Sequence, residues 1–154
     1  KYVNSIYHEI VLGMSIFDCI SSIAGALTTL PMPQYYGIFY GSRGNDATCT
    51  AQGFFIQLGA SSSLYNISLS IYYFLVVYQG WREHQLRKIR YWMHTPLIIG
   101  PIMALAGIPF MGPNVVNCYV GIPPFSDSML PIILIGIVPL VAATVIGTFS
   151  MCAI

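Results

Sequence analysis

Side chains able to do chemistry are few in this sequence, and their surroundings decide what each can do. Asp18 stands in an otherwise apolar run, with Ser15, Ser22, Gly25 and Thr29 at spacings of three and four that put all five on one helix face. A carboxylate in such a run either holds an ion or polar partners, or is a protonated structural acid. An unpaired charge in hydrocarbon costs about 3 kcal/mol or more, so the residue marks a candidate site. Gly59, Ser63, Asn66, Ser70 and Tyr73 form a second stripe with the same periodicity. Small and hydroxylated residues so spaced mostly serve helix packing. His8, Glu9, His84 and His94 flank basic or interfacial segments and read as interfacial side chains rather than a catalytic pair. There is no glycine-rich phosphate loop, HExxH, GxSxG, CxxC or paired-histidine spacing, so neither an enzyme nor a zinc site is expected. Asn66-Ile-Ser has the form of a glycosylation acceptor but lies inside an apolar helix, where it is unusable.

The elements that position these residues follow from composition. Of 154 residues, 56% are hydrophobic and only 7% charged. A soluble domain carries about 25% charged residues, because its surface must be wetted. Four cysteines are too sparse for a disulfide scaffold, and a net charge of +1 leaves no basic face for nucleic acid. The class that remains is an all-α integral membrane protein. Four stretches can cross a bilayer core of about 30 Å as helices: about Ile6–Leu30, Cys49–Tyr78, Tyr91–Met111 and Met129–Ile154. The alternation of an outer-membrane barrel strand is absent. There is no internal repeat, and an apolar end at Ile154 reads as a piece of a longer protein. The second span is the longest and is polar around much of its circumference, so it should lie at the centre of the bundle.

Arg82, Arg87, Lys88 and Arg90 lie together between the second and third spans, which makes the 79–90 loop cytoplasmic in a multi-pass protein. They would meet a protein partner or anionic lipid head groups. The 31–48 and 112–128 loops then face outside, where Cys49 and Cys118 are in an oxidising compartment. A bridge between them would pin the second outer loop to the second helix; two free thiols are the alternative. Cys19 and Cys152 fall within spans and behave as small apolar residues.

An acid in mid-helix, a cysteine opening the next helix, a long polar-striped helix leading to a basic inner loop, and a cysteine in the second outer loop occur here in that order. This resembles helices two to five of a seven-helix G-protein-coupled receptor. Cys49-Thr-Ala-Gln-Gly-Phe-Phe-Ile-Gln-Leu-Gly, followed by Ser63-Leu-Tyr-Asn-Ile-Ser-Leu-Ser-Ile-Tyr-Tyr, is similar to protist and algal receptor-like proteins and, more distantly, to the cyclic-AMP-receptor type. The resemblance covers residues 1–154 as a partial seven-transmembrane receptor domain at the plasma membrane. It implies a sodium or polar pocket at Asp18, Ser63 and Asn66. It also implies a pocket for an extracellular ligand at the outer helix ends, with Gln52, Gln57 and Tyr119 as candidate contacts. A heterotrimeric G protein would meet Arg82, Arg87, Lys88 and Arg90. The chain departs from the rhodopsin-like pattern: Tyr73-Phe74-Leu75 stands roughly where an acid-Arg-Tyr triplet would close the second helix. That points to a divergent receptor.

Two functions of different class follow. One is a receptor that carries an extracellular signal to a G protein by helix rearrangement. The other is a small transporter or channel unit with Asp18 as ion or proton relay. A transporter is expected to show a repeat with paired broken helices, which is absent here.

Overall fold

The computed structural model describes residues 5–37, 40–120 and 137–152. The chain runs through α1 (Ile6–Ala26), α2 (Asp46–Gln57), α3 (Gly59–Tyr73), α4 (Glu83–Leu86), α5 (Arg90–Met93), α6 (Pro96–Gly107) and α7 (Val138–Cys152). Between α6 and α7 lie β1 (Met111–Pro113) and β2 (Cys118–Val120). Three continuous helical runs are long and apolar enough to cross a membrane: Ile6–Ala26, Asp46–Tyr78 and Glu83–Phe110. The expected fourth span begins outside the described residues. Its described part, α7, has 15 residues, fewer than the roughly 20 a crossing needs.

Several boundaries differ from the sequence expectation, each for a local reason. The first helix stops at Ala26 rather than Leu30, and Thr28 takes a left-handed φ of +47° in the turn that ends it. The second starts at Asp46, where Asn45 and Thr48 cap each other reciprocally: Thr48 N–H donates to Asn45 Oδ1 at 2.9 Å and Asn45 N–H to Thr48 Oγ1 at 2.8 Å. It is interrupted at Leu58, whose carbonyl accepts from Ser61 N–H at 2.9 Å, and it ends in a π-helical turn over Phe74–Tyr78. The third run begins at Glu83, so most of the expected basic loop is helical. Gly80 turns the chain with φ +66°, and Arg82 N–H donates to Gln85 Oε1 at 2.9 Å as the helix starts. The chain is all-α as expected apart from a short two-stranded ribbon. In it Gly112 pairs with Tyr119, and Asn114 N–H closes the turn on Asn117 O at 3.0 Å.

α3 touches α1, α6 and α7, the central position its length and polarity implied. The core runs along these contacts through Ile10, Phe17, Tyr65, Leu86, Met93 and Ala104. The helices approach closely where side chains are small. At Gly13 an added Cβ would meet the Tyr65 ring at 2.7 Å, and at Gly100 it would collide with Ser61 Oγ. Without interhelical hydrophobic drive in lipid, such close backbone approach is what holds membrane helices together.

Candidate functional site

The end of the described chain expected to face outside, called the outer end, is built on Gln52, which is buried in α2. Its Nε2 donates to Thr28 O at 3.0 Å and to Ala24 O at 2.9 Å, the latter a carbonyl that also accepts from Leu27 N–H at 3.3 Å, so the amide caps the end of α1. Its Oε1 accepts from Cys118 N–H at 2.9 Å. One primary amide thus joins α1, α2 and β2. Beside it Cys49 and Cys118 are disulfide-bonded with Cα atoms 5.1 Å apart, which settles the cysteine alternative in favour of the bridge. One turn deeper, Tyr119 Oη donates to Gln57 Oε1. Burial raises the Tyr119 phenol above its ordinary value. Gln52, Gln57 and Tyr119, expected as ligand contacts, make hydrogen bonds within the protein, and Gln52 also lines a groove of about 700 Å³ at this end. The Gln52 amide is fully engaged within the protein, and Gln57 and Tyr119 bind each other.

The pocket expected at Asp18 is not assembled among the described residues. Asp18 lies on the exposed flank of α1, while Ser63 and Asn66 line a groove of about 490 Å³ between α3 and α7, with Ser70, Thr144 and Thr148. The cause is angular. Phe17 and Tyr65 face each other across the α1–α3 contact, with ring centroids 6.2 Å apart. Asp18 and Asn66 each follow by one residue, about 100° around its own helix. Because α1 and α3 are antiparallel, those two rotations carry both polar stripes to the same side of the pair. They flank one open side and do not touch. Among the described residues, no three His, Cys, Asp or Glu side chains are grouped to hold a metal ion.

The inner end carries a network that spacing alone did not reveal. Arg90 Nε and Nη2 donate to Glu9 Oε2 and Oε1, both at 2.8 Å, in a forked pair. His94 Nε2 lies 3.2 Å from Glu9 Oε2, and its Nδ1 lies 3.3 Å from the hydroxyl of buried Tyr65. Glu83 Oε1 accepts from Ile6 N–H at 3.2 Å, so α1 is tied to the start of the third run at two points. Glu9 and Arg90 are 81 residues apart, too far for any local pattern to link them. The expected cytoplasmic cluster is therefore divided: Arg90 is engaged by Glu9, while Arg82, Arg87 and Lys88 are exposed.

No protein-family model, curated protein or solved structure matches this chain. What the geometry defines is a helical chain with three membrane-capable helices, a disulfide-pinned loop at one end and an ionic network at the other.

Proposed function

We propose that this chain spans the plasma membrane as helices two to five of a divergent G-protein-coupled-receptor-like bundle, carrying an extracellular signal to a cytoplasmic G protein. The observation that carries the reading is α3, a central helix in contact with α1, α6 and α7, whose polar stripe opens toward the same side as that of α1. In hydrocarbon a polar side of this kind requires cover, and the remaining helices of a seven-helix bundle would provide it. Asp18 and Asn66 would then line the interior from two helices, with a sodium ion held at Asp18 by groups those helices bring. The end bearing Arg82, Arg87 and Lys88 faces the cytoplasm by the excess of basic residues and meets the G protein there. The transporter alternative gains no specific observation.

The test is nucleotide exchange. The protein expressed from its complete coding sequence, in vesicles with heterotrimeric G proteins of each class, should accelerate GTPγS uptake by at least one of them. Arg87→Ala with Lys88→Ala should reduce that acceleration several-fold. Failure to stimulate any class, with the bridge intact and membrane insertion verified, would overturn the reading.

A further inference from the structure

The side of the α1–α3 pair opposite the polar stripes carries a second opening. A groove of about 700 Å³ lies at the outer ends of α1 and α2, walled by Ile20, Ile23, Leu27, Leu30 and Phe55. On the α1 wheel Ile20, Ile23 and Leu27 fall on the other side of Phe17 from Asp18, so this wall belongs to the apolar side. At the mouth stands Arg43, exposed and without an ion-pair partner among the described residues. Its backbone is fixed in place: Arg43 N–H donates to Leu30 O at 3.0 Å and Gly44 N–H to Met32 O at 2.9 Å. The neighbouring acid, Asp46, accepts from the Tyr35 hydroxyl at 2.6 Å. An open apolar groove thus ends in a cation near the end of a span.

We propose that this groove binds an anionic phospholipid, with an acyl chain along Ile20, Ile23, Leu27 and Phe55 and the head-group phosphate on the Arg43 guanidinium. The proposal rests on the chain crossing a membrane and is independent of any signalling role. Charge complementarity selects the lipid class. One basic residue at the surface of a membrane favours an anionic head group about fivefold. Among the described residues Arg43 is the basic side chain at this end, because Arg82, Arg87, Lys88 and Arg90 lie at the opposite end of the helices.

The experiment places an indole in the groove by Phe55→Trp and reconstitutes the chain in bilayers of equal phosphatidylglycerol and phosphatidylcholine, with one lipid brominated at a time. Quenching of the introduced indole, beyond that of Trp81 and Trp92 in the parent chain, reports which lipid occupies the groove. The expected result is an apparent affinity about fivefold higher for phosphatidylglycerol, falling to near onefold in Arg43→Gln. Ala51→Phe, which narrows the groove, should reduce quenching by both lipids. Equal quenching by the two lipids overturns the proposal, as does a preference that survives Arg43→Gln. Quenching by neither while Trp92 is quenched means that protein covers the groove, and it overturns the proposal too. If Trp92 is also unquenched and the chain fails to float with vesicles, the membrane reading itself falls, an outcome distinct from the others. Helical circular dichroism and an intact Cys49–Cys118 bridge verify that each variant is folded.

Discussion

The two ends of the helix assembly are held by different forces. At the outer end a disulfide and the buried amide of Gln52 fasten a ribbon, a helix terminus and the middle span, with no charged group in the arrangement. At the inner end Arg90, Glu9 and His94 join α1 to the third run through ionisable groups that retain contact with water; 53% of the Arg90 side-chain surface and 23% of Glu9's are exposed. Covalent and buried neutral links resist salt and pH, whereas a half-exposed ion pair is screened and competes with solvent. The difference makes the outer end the fixed frame and the inner end the adjustable one.

Breaking the outer frame should have the largest effect. Cys49→Ser opens a loop of 69 residues, and a bridge of that span contributes about 4 kcal/mol by constraining the unfolded chain. Thermal unfolding in detergent, followed by circular dichroism, should fall to the same midpoint in Cys49→Ser, Cys118→Ser and the reduced parent. A parent whose midpoint is indifferent to reductant would remove the covalent half of the comparison. Gln52→Leu comes next, at about 2–3 kcal/mol, because it strands the Cys118 N–H and the Thr28 carbonyl together and leaves Ala24 O with only its bond from Leu27 N–H. That loss should be the same at low and high salt.

How much of this contrast was legible in the sequence depends on the distance over which each feature acts. The spans at Ile6, Cys49 and Tyr91 were visible because hydropathy is local and long. The bridge was visible because both cysteines fall at the same end once the spans alternate. Gln52 was visible only as a polar residue near a helix start, which reads equally as a ligand contact and as a structural keystone. Its role depends on carbonyls presented by the end of α1, where Thr28 takes a left-handed turn. The break at Leu58 and the ribbon at Met111–Val120 left no signal in the local pattern, although the chain is packed closely beside both: a Cβ on Gly53 would meet Met111 at 3.1 Å and one on Gly59 would meet Ser21 at 2.9 Å. Counting gave Asp18 and Ser63 one depth, but depth is one coordinate, and the rotation about each helix, set by Phe17 against Tyr65, leaves Asp18 on the exposed flank of α1 and Ser63 in the α3–α7 groove.

The inner end should respond more weakly and with the opposite salt behaviour. Glu9→Gln removes the carboxylate that Arg90 and His94 share, and a partly exposed forked pair is worth about 1 kcal/mol or less. The midpoint difference between Glu9→Gln and the parent should shrink as salt rises from about 0.05 to 1 M, where the screening length falls to about 3 Å. A difference that persists undiminished at high salt would make the inner end as rigid as the outer and cancel the contrast.

The smallest effect sharpens the outer frame. Tyr119→Phe deletes the hydroxyl donated to Gln57 and leaves the ring in place, so it should cost about 1 kcal/mol. Its value lies in the pH dependence. Burial raises the Tyr119 phenol, so the folded state disfavours the phenolate. The sign follows: for an acid whose folded pKa is raised, the stabilisation of the neutral form is fully present below the unfolded value near 10 and is lost as pH rises through the folded value. Between the two values the folded chain holds a proton that the unfolded chain has released, and stability falls with pH. The parent should therefore lose midpoint more steeply than Tyr119→Phe above about pH 10. The difference absorbance at 295 nm should show one phenol fewer among the late-titrating tyrosines of the variant. If the two chains titrate alike, the phenol meets water freely, and the ribbon at Met111–Val120 is held by the disulfide and Gln52 alone.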